Sequence, residues 1–449
     1  MRATRKLVAV AGAAILGLST VVASATTATA ARAEVVTEAY EYESFECGYP
    51  IDVAGEFTFA AENRTRSPKE PDLFFYRERF SFREVWTNPD TGASLVFSGA
   101  GLQADVTAKL VEDNVYEYTI IQAGRPFVVE DSKGKLIAHE RGMLRFHVLL
   151  DTDGNFVDFL GLDVGGPHSS LDRCRYAADL IGMNNSTSSQ RYTLHPEDST
   201  ESPLGYAEYL PPSYGDAPSP LLVFLHGAGE SGDGSADALA LLALTAIPRH
   251  LVNDGWPDER PFVVLAPQHE DTGVASDYEP CFDAALPGSC FMTTWHELGH
   301  PEEAACFTPD EVRDFIAYAV ATYDVDPARV YLTGLSCGGF GAWEYLELFG
   351  DAQVAAAVPI ASEGRPAWGA VDCALASVPI WAFHGALDDV VDPQGSIVPI
   401  TGLRDQCSVT DEEAVLTIYP DRDHDSWNIT YAQGSPVDIY TWLLDHSSP

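Results

Sequence analysis

Arg329-Val-Tyr-Leu-Thr-Gly334-Leu-Ser336-Cys-Gly338-Gly-Phe-Gly341 sets the fold. A short apolar run that suits a buried strand enters Gly-x-Ser-x-Gly, and a stretch of helical spacing follows it. A strand that turns this sharply into a helix forces the serine into a strained backbone region. The flanking glycines, having no Cβ, let neighbouring backbone pass close by. The hydroxyl then stands above the sheet at a helix N-terminus, whose dipole favours developing negative charge. By chance alone the five-residue motif is common. Its strand-before, helix-after setting makes it specific.

A serine hydroxyl needs a base, and the base needs an orienting carboxylate. Both follow downstream. Ile380-Trp-Ala-Phe-His384-Gly-Ala-Leu-Asp388 ends a strand with a carboxylate, and Leu416-Thr-Ile-Tyr-Pro-Asp-Arg-Asp-His424-Asp-Ser-Trp427 ends another with a loop histidine. The expected catalytic residues are Ser336, Asp388 and His424. Asp389 and Asp392 are rival acids, set aside because Asp388 sits where the chain turns. His384 reads as a structural residue at a strand end. Upstream, Leu221-Leu-Val-Phe-Leu-His226-Gly227-Ala228-Gly229-Glu230 is a strand followed by a small flexible turn. Its amides are candidates for an oxyanion hole with the N–H of Cys337, Ala228 first and Gly227 second.

Outward from these motifs the chain alternates between strands and helices. Apolar runs at 221–225, 262–266, 330–332, 355–360 and 380–383 read as buried parallel strands. Stretches near 236–251, 309–323, 339–349 and 435–445 have helical spacing, with Thr308 capping Pro309. The expectation is a doubly wound, mostly parallel α/β sheet over 193–449. Before it, within 34–181, the chain alternates from about 50 to 165 in short runs such as Leu73-Phe-Phe-Tyr-Arg-Glu-Arg-Phe-Ser-Phe, punctuated at 88–92, 132–134 and 151–154. This predicts an all-β N-terminal domain, sandwich or barrel-like, joined by a polar linker at 182–192.

Residues 1–33 read as an export signal, with Arg2, Arg5 and Lys6 ahead of a short apolar stretch and small-residue cleavage sites. No later run suits a membrane span. The expectation is a secreted monomer. With 67 acidic against 26 basic residues the net charge is −41, which argues against nucleic acid or an anionic membrane as partner. Eight cysteines in an exported chain suggest disulfides. Cys47 and Cys174 bracket the first half, and Cys373 and Cys407 flank a segment of the second. Cys281, Cys290, Cys306 and Cys337 have no assignable connectivity.

Together these motifs resemble the α/β-hydrolase superfamily, and more narrowly secreted bacterial esterases related to polyhydroxybutyrate depolymerases and feruloyl esterases. That group overlaps predicted peptidases of the prolyl oligopeptidase type. The resemblance covers about 195–446. It implies ester hydrolysis through an acyl-enzyme, with no cofactor and a small-molecule or polymeric ester as partner. In the group the residue after the nucleophile is often Met or Ala, where this chain has Cys337. The oxyanion donor is a backbone group, so the role survives the change. A serine peptidase on the same fold is the alternative, although no acidic anchor for a peptide amine is evident. A polymer-binding surface protein, displaying Tyr40, Tyr42 and Tyr49, is a third.

His296-Glu297-Leu298-Gly299-His300 matches a zinc-binding H-E-x-x-H pattern. Gly299 and Pro301 weaken the helix that motif requires, so no metal is expected. The surrounding segment, 268–306, reads better as a lid or wall, with Trp295 and Trp427 as substrate-contacting residues. Sequons at Asn63, Asn184, Asn185 and Asn428 read as coincidence in a bacterial-looking chain.

Overall fold

The computed structural model describes residues 35–67, 70–112, 115–139, 142–151, 156–165, 173–183, 186–270 and 306–448. The expected signal, the turn at 152–154, Trp295 and the His296–His300 motif lie outside them. The chain divides into two compact units. One comprises the chain up to Ser44 with Ile51–Met183; the other comprises Phe45–Pro50 with Asn184–Pro449.

Among its described residues the first unit is all-β apart from one helix. Strands β1 (Val35–Ser44), β2 (Ile51–Ser67), β3 (Glu70–Thr87), β4 (Ser94–Glu112), β5 (Val115–Asp131), β7 (Gly142–Asp151) and β8 (Phe156–Gly165) pair in sequence order, and β6 (Leu136–His139) pairs with β5. Every pairing is antiparallel. The strands form a single sheet rather than two stacked ones, and no pairing among the described residues joins β8 back to β1. Period-two patterning selects the buried face: Phe80, Phe82, Glu84 and Trp86 are buried, whereas Ser81 and Arg83 between them are exposed. Glu84 is tolerated there because it is fully paired. It lies 2.9 Å from Arg173 on helix α1 (Arg173–Ile181), and Tyr40 and Trp86 donate to it at 2.8 and 3.0 Å. Asn88 shapes the β3–β4 turn by accepting from the amides of Asp90 and Thr91.

In the second unit β9 (Tyr192–His195), β10 (Tyr206–Tyr209), β11 (Ser219–Leu225), β12 (Val263–Pro267), β13 (Val325–Leu335), β14 (Ala356–Ile360), β15 (Ile380–Gly385) and β16 (Ala414–Tyr419) form one sheet. Its order is β16-β15-β14-β13-β11-β12-β10-β9. From β12 to β16 the pairing is parallel, and β10 runs antiparallel to both its neighbours. Every residue of β11, β12 and β14 is buried, which follows from cover on both faces. On one side lie α4 (Pro309–Thr322), α5 (Cys337–Phe349) and α7 (Gln394–Gln406), which contribute Phe315, Trp343 and Leu403. On the other lie α3 (Ala246–Val252), α8 (Trp427–Tyr431) and α9 (Ile439–Leu444), with Leu251, Tyr431 and Leu443. Helices α2 (Ala236–Leu239) and α6 (Arg365–Val371) are the remaining helices among the described residues. The cap at Thr308 is a reciprocal box with Glu311, at 2.8 and 3.2 Å.

The residues expected as a linker are instead pinned within the second unit. Thr187 and Ser189 donate to Asp258 and Asp254, and the Ser188 hydroxyl donates to Leu251 O at 2.9 Å. Phe45–Pro50 belongs to the same unit, where Gly48 O accepts from Gln433 N. Two disulfide pairs are Cys306–Cys337 and Cys373–Cys407; Cys47 and Cys174 are also in disulfide form.

Candidate active site

Three strand ends and one turn deliver the candidate residues to the carboxyl edge of the second sheet, where such sheets place their sites. Ser336 follows β13 and caps α5, with φ 48° and ψ −118°. A non-glycine residue in that region is strained. Its own N–H donates to Ile360 O at 2.9 Å, and Phe340 N donates to its carbonyl at 3.0 Å, so neighbours on both sides hold the turn. A Cβ on Gly334 would lie 2.4 Å from Gly338 backbone, and one on Gly338 would lie 2.1 Å from Leu225 O. Both positions therefore require glycine.

Ser336, His424 and Asp388 stand in a hydrogen-bonded line. His424 Nε2 is 3.0 Å from Ser336 Oγ, and His424 Nδ1 is 2.8 Å from Asp388 Oδ2. The Asp388 carboxylate cannot donate, so Nδ1 carries the proton and Nε2 is left to accept from the serine. Burial alone would raise the Asp388 carboxyl. Hydrogen bonds from His384 and His424, with the Val391 amide, hold it instead well below the usual carboxylate range. Of the rival acids, Asp389 is exposed and Asp392 pairs with Arg365 at 3.1 Å.

The turn after β11 is built on buried imidazole. His226 Nε2 accepts from His269 N at 3.0 Å, so Nδ1 is protonated and donates to Gly227 O at 2.6 Å. Burial pushes His226 down to about 4. Gln268 ties the turn to its surroundings, donating to Glu230 O at 2.9 Å and Ala238 O at 2.8 Å. The amide of Gly227 donates to Glu230 Oε2 at 3.1 Å, which engages the second of the two expected oxyanion donors. That leaves Ala228, exposed at the start of the Ala228–Glu230 3₁₀ turn, and Cys337, whose amide opens α5.

Trp427 stands edge-on to His424 with ring centroids 5.1 Å apart, and its indole N–H donates to Thr245 Oγ1 at 3.1 Å. It therefore buttresses the histidine. His384, in sequence a strand-end histidine, is fully buried against Asp388. Its sequence signal is its spacing, near the end of β15 and four residues before the acid in the following turn.

In chain order the sheet reads first, second, fourth, third, then fifth to eighth, with the strained serine after the fifth strand and the acid and histidine after the seventh and eighth. This is the α/β-hydrolase fold. The assignment rests on that topology and on the elbow. No protein-family model matches the chain. A curated relative, a bifunctional acetylxylan esterase/xylanase from Neocallimastix patriciarum, is 28% identical over 155 residues, 34% of this chain. The match spans only 20% of that relative's length. Among solved structures, a thermostable esterase is 20% identical with a TM-score of 0.39, covering 87% of this chain and 90% of its own. Porphyromonas gingivalis dipeptidyl peptidase 4 is 11% identical with a TM-score of 0.36, covering 94% and 78%. An acetyl xylan esterase from Aspergillus awamori is 11% identical with a TM-score of 0.34, covering 53% and 94%.

Proposed function

We propose that this chain is an exported serine hydrolase that cleaves carboxylic esters through an acyl-enzyme. The observation that carries the reading is the line Ser336–His424–Asp388, with contacts of 3.0 and 2.8 Å, behind a serine held at positive φ. In this reading His424 Nε2 takes the Ser336 proton as Oγ attacks the ester carbonyl. The tetrahedral oxyanion is met by the amides of Ala228 and Cys337, each such donor being worth roughly 3 to 4 kcal/mol in the transition state. The imidazolium, steadied by Asp388, then returns its proton to the departing alcohol. Water repeats the sequence on the acyl-enzyme, and no cofactor takes part. The basic, apolar and small-residue pattern of residues 1–33 supports export, as do the oxidised cysteines. The activity named for the Neocallimastix relative is in keeping with an ester substrate.

The test is a panel of p-nitrophenyl esters and peptide p-nitroanilides, with Ser336→Ala as control. Ester turnover that collapses in the variant, with fluorophosphonate labelling of the wild type alone, is the expected result. Turnover of anilides in preference to esters would replace the esterase reading with a peptidase one. Equal labelling of the variant would remove Ser336 as nucleophile.

A further inference from the structure

His384 is the penultimate residue of β15, four residues ahead of Asp388, and is completely buried. Its Nε2 lies 3.1 Å from Asp388 Oδ2 and 3.1 Å from Val391 O. Both are acceptors, so this nitrogen carries a proton. Its Nδ1 is 2.8 Å from the hydroxyl of Ser396, a fully buried residue of α7. Serine can donate there, which lets the imidazole stay neutral with both nitrogens satisfied. On the other carboxylate oxygen, the amides of Val390 and Val391 each donate at 2.9 Å. The oxygen that serves His424 is therefore shared between two imidazoles.

We propose that His384 is a positioning residue of the hydrolytic site: its Nε2–H holds Asp388 Oδ2 in line with His424 and takes up part of that oxygen's charge. The proposal rests on the triad reading above. A buried side chain needed only to fill space would be apolar, since an imidazole in the core must have every polar atom matched. Here the matching extends over three elements, β15, the Asp388–Val391 turn and α7, and it converges on one carboxylate. Sharing Oδ2 has a chemical consequence. A carboxylate that already accepts a second N–H attracts the imidazolium of His424 less strongly, so that imidazolium gives up its proton to the leaving group more readily. The other charged groups on the same turns are Arg422, Asp423 and Asp425 around His424, Asp389 and Asp392 after Asp388, and Arg365, which pairs with Asp392 and Glu363. None changes in the variants below.

The experiment compares His384→Gln, His384→Asn and His384→Leu in the full chain, reading kcat, KM and the pH dependence of kcat/KM on a p-nitrophenyl ester. Glutamine carries its amide nitrogen to about the reach of Nε2, whereas asparagine carries it only to that of Nδ1. Leu and Asn should lower kcat roughly tenfold, the worth of one hydrogen bond to a charged group, with KM little changed. In both, the acid limb of kcat/KM should move to higher pH, and Gln should restore most of the rate and the limb. Thermal melting and fluorophosphonate labelling identify which variants are folded; should Leu fail to fold, the Gln–Asn contrast decides alone. Wild-type rate and acid limb in folded Leu or Asn would overturn the proposal. So would equal loss in all three, Gln included, without a shift of the limb. Full activity of Asp388→Asn would overturn the triad itself, whatever His384 does.

Discussion

Cys337 Sγ is bonded to Cys306 Sγ, so the residue whose amide opens α5 beside Ser336 is covalently tied to the segment that leads into α4. The bond packs with Phe340 and Val391 in a small apolar cluster. Val391 in turn supplies an amide to Asp388 and a carbonyl to His384.

Breaking that bond by Cys306→Ser with Cys337→Ser should therefore cost both stability and rate. The closed loop spans 31 residues, for which loop-closure entropy gives roughly 3 to 4 kcal/mol. Chemical denaturation and ester turnover of the double variant check this. Unchanged stability and unchanged kcat would show that the bond is dispensable.

Replacing Asp388 by Asn should preserve the fold and lower kcat by several orders of magnitude, because the imidazole loses its orienting carboxylate. Asp389→Asn, at an exposed position, should change kcat less than about twofold. The reverse ranking in a steady-state assay would name the wrong acid.

Gly338→Ala should fail to give soluble enzyme. A methyl 2.1 Å from Leu225 O has nowhere to go, since both partners are backbone in the centre of the site. Expression with circular dichroism is sufficient; a folded, active Gly338→Ala protein would contradict the elbow described here.

His226 should remain neutral well below the usual histidine range. Burial pushes it down to about 4, whereas the unfolded chain protonates near 6.5. Between those values the unfolded chain binds the extra proton, so stability falls as pH drops through that window. This one group accounts for at most about 3 kcal/mol of the loss. Nuclear magnetic resonance titration of the imidazole reads the value directly, and a midpoint near 6.5 would refute it.

Arg173→Ala should destabilise the first unit by about 3 to 5 kcal/mol, since Glu84 would keep its charge in a buried site. Adding Glu84→Gln should recover part of that loss. If the double variant is less stable than Arg173→Ala alone in urea, the ion pair is not the source.

Much of this was legible because the relevant signals are local. Gly334 and Gly338 announce the elbow, Thr308–Pro309 announces α4, and unbroken apolar runs announce β11, β12 and β14. Strands β9 and β10 escaped notice, being four residues each at the sheet's edge. Helix α7 hides its character behind Pro399 and a weak apolar stripe. Gly227 stands second to Ala228 as an oxyanion donor in the sequence, and what takes its amide away, the reach of the Glu230 carboxylate, is not encoded there. The hydrogen bonds of His384 and the partner of Cys337 depend on contacts that no periodicity encodes.

The placement of Phe45–Pro50 bears on how the chain folds during synthesis. Gly48 accepts from Gln433, so a segment made near the start meets its partner only when nearly the whole polypeptide exists. The first unit, whose pairings follow sequence order, can assemble early, but the second unit carries a contact of very high sequence separation, which closes slowly. Nearly the whole chain is thus required before this unit is complete, and an N-terminal fragment released early carries the Phe45–Pro50 turn without its dock. Under the export reading proposed above, that ordering delays completion of the second unit until translocation is over.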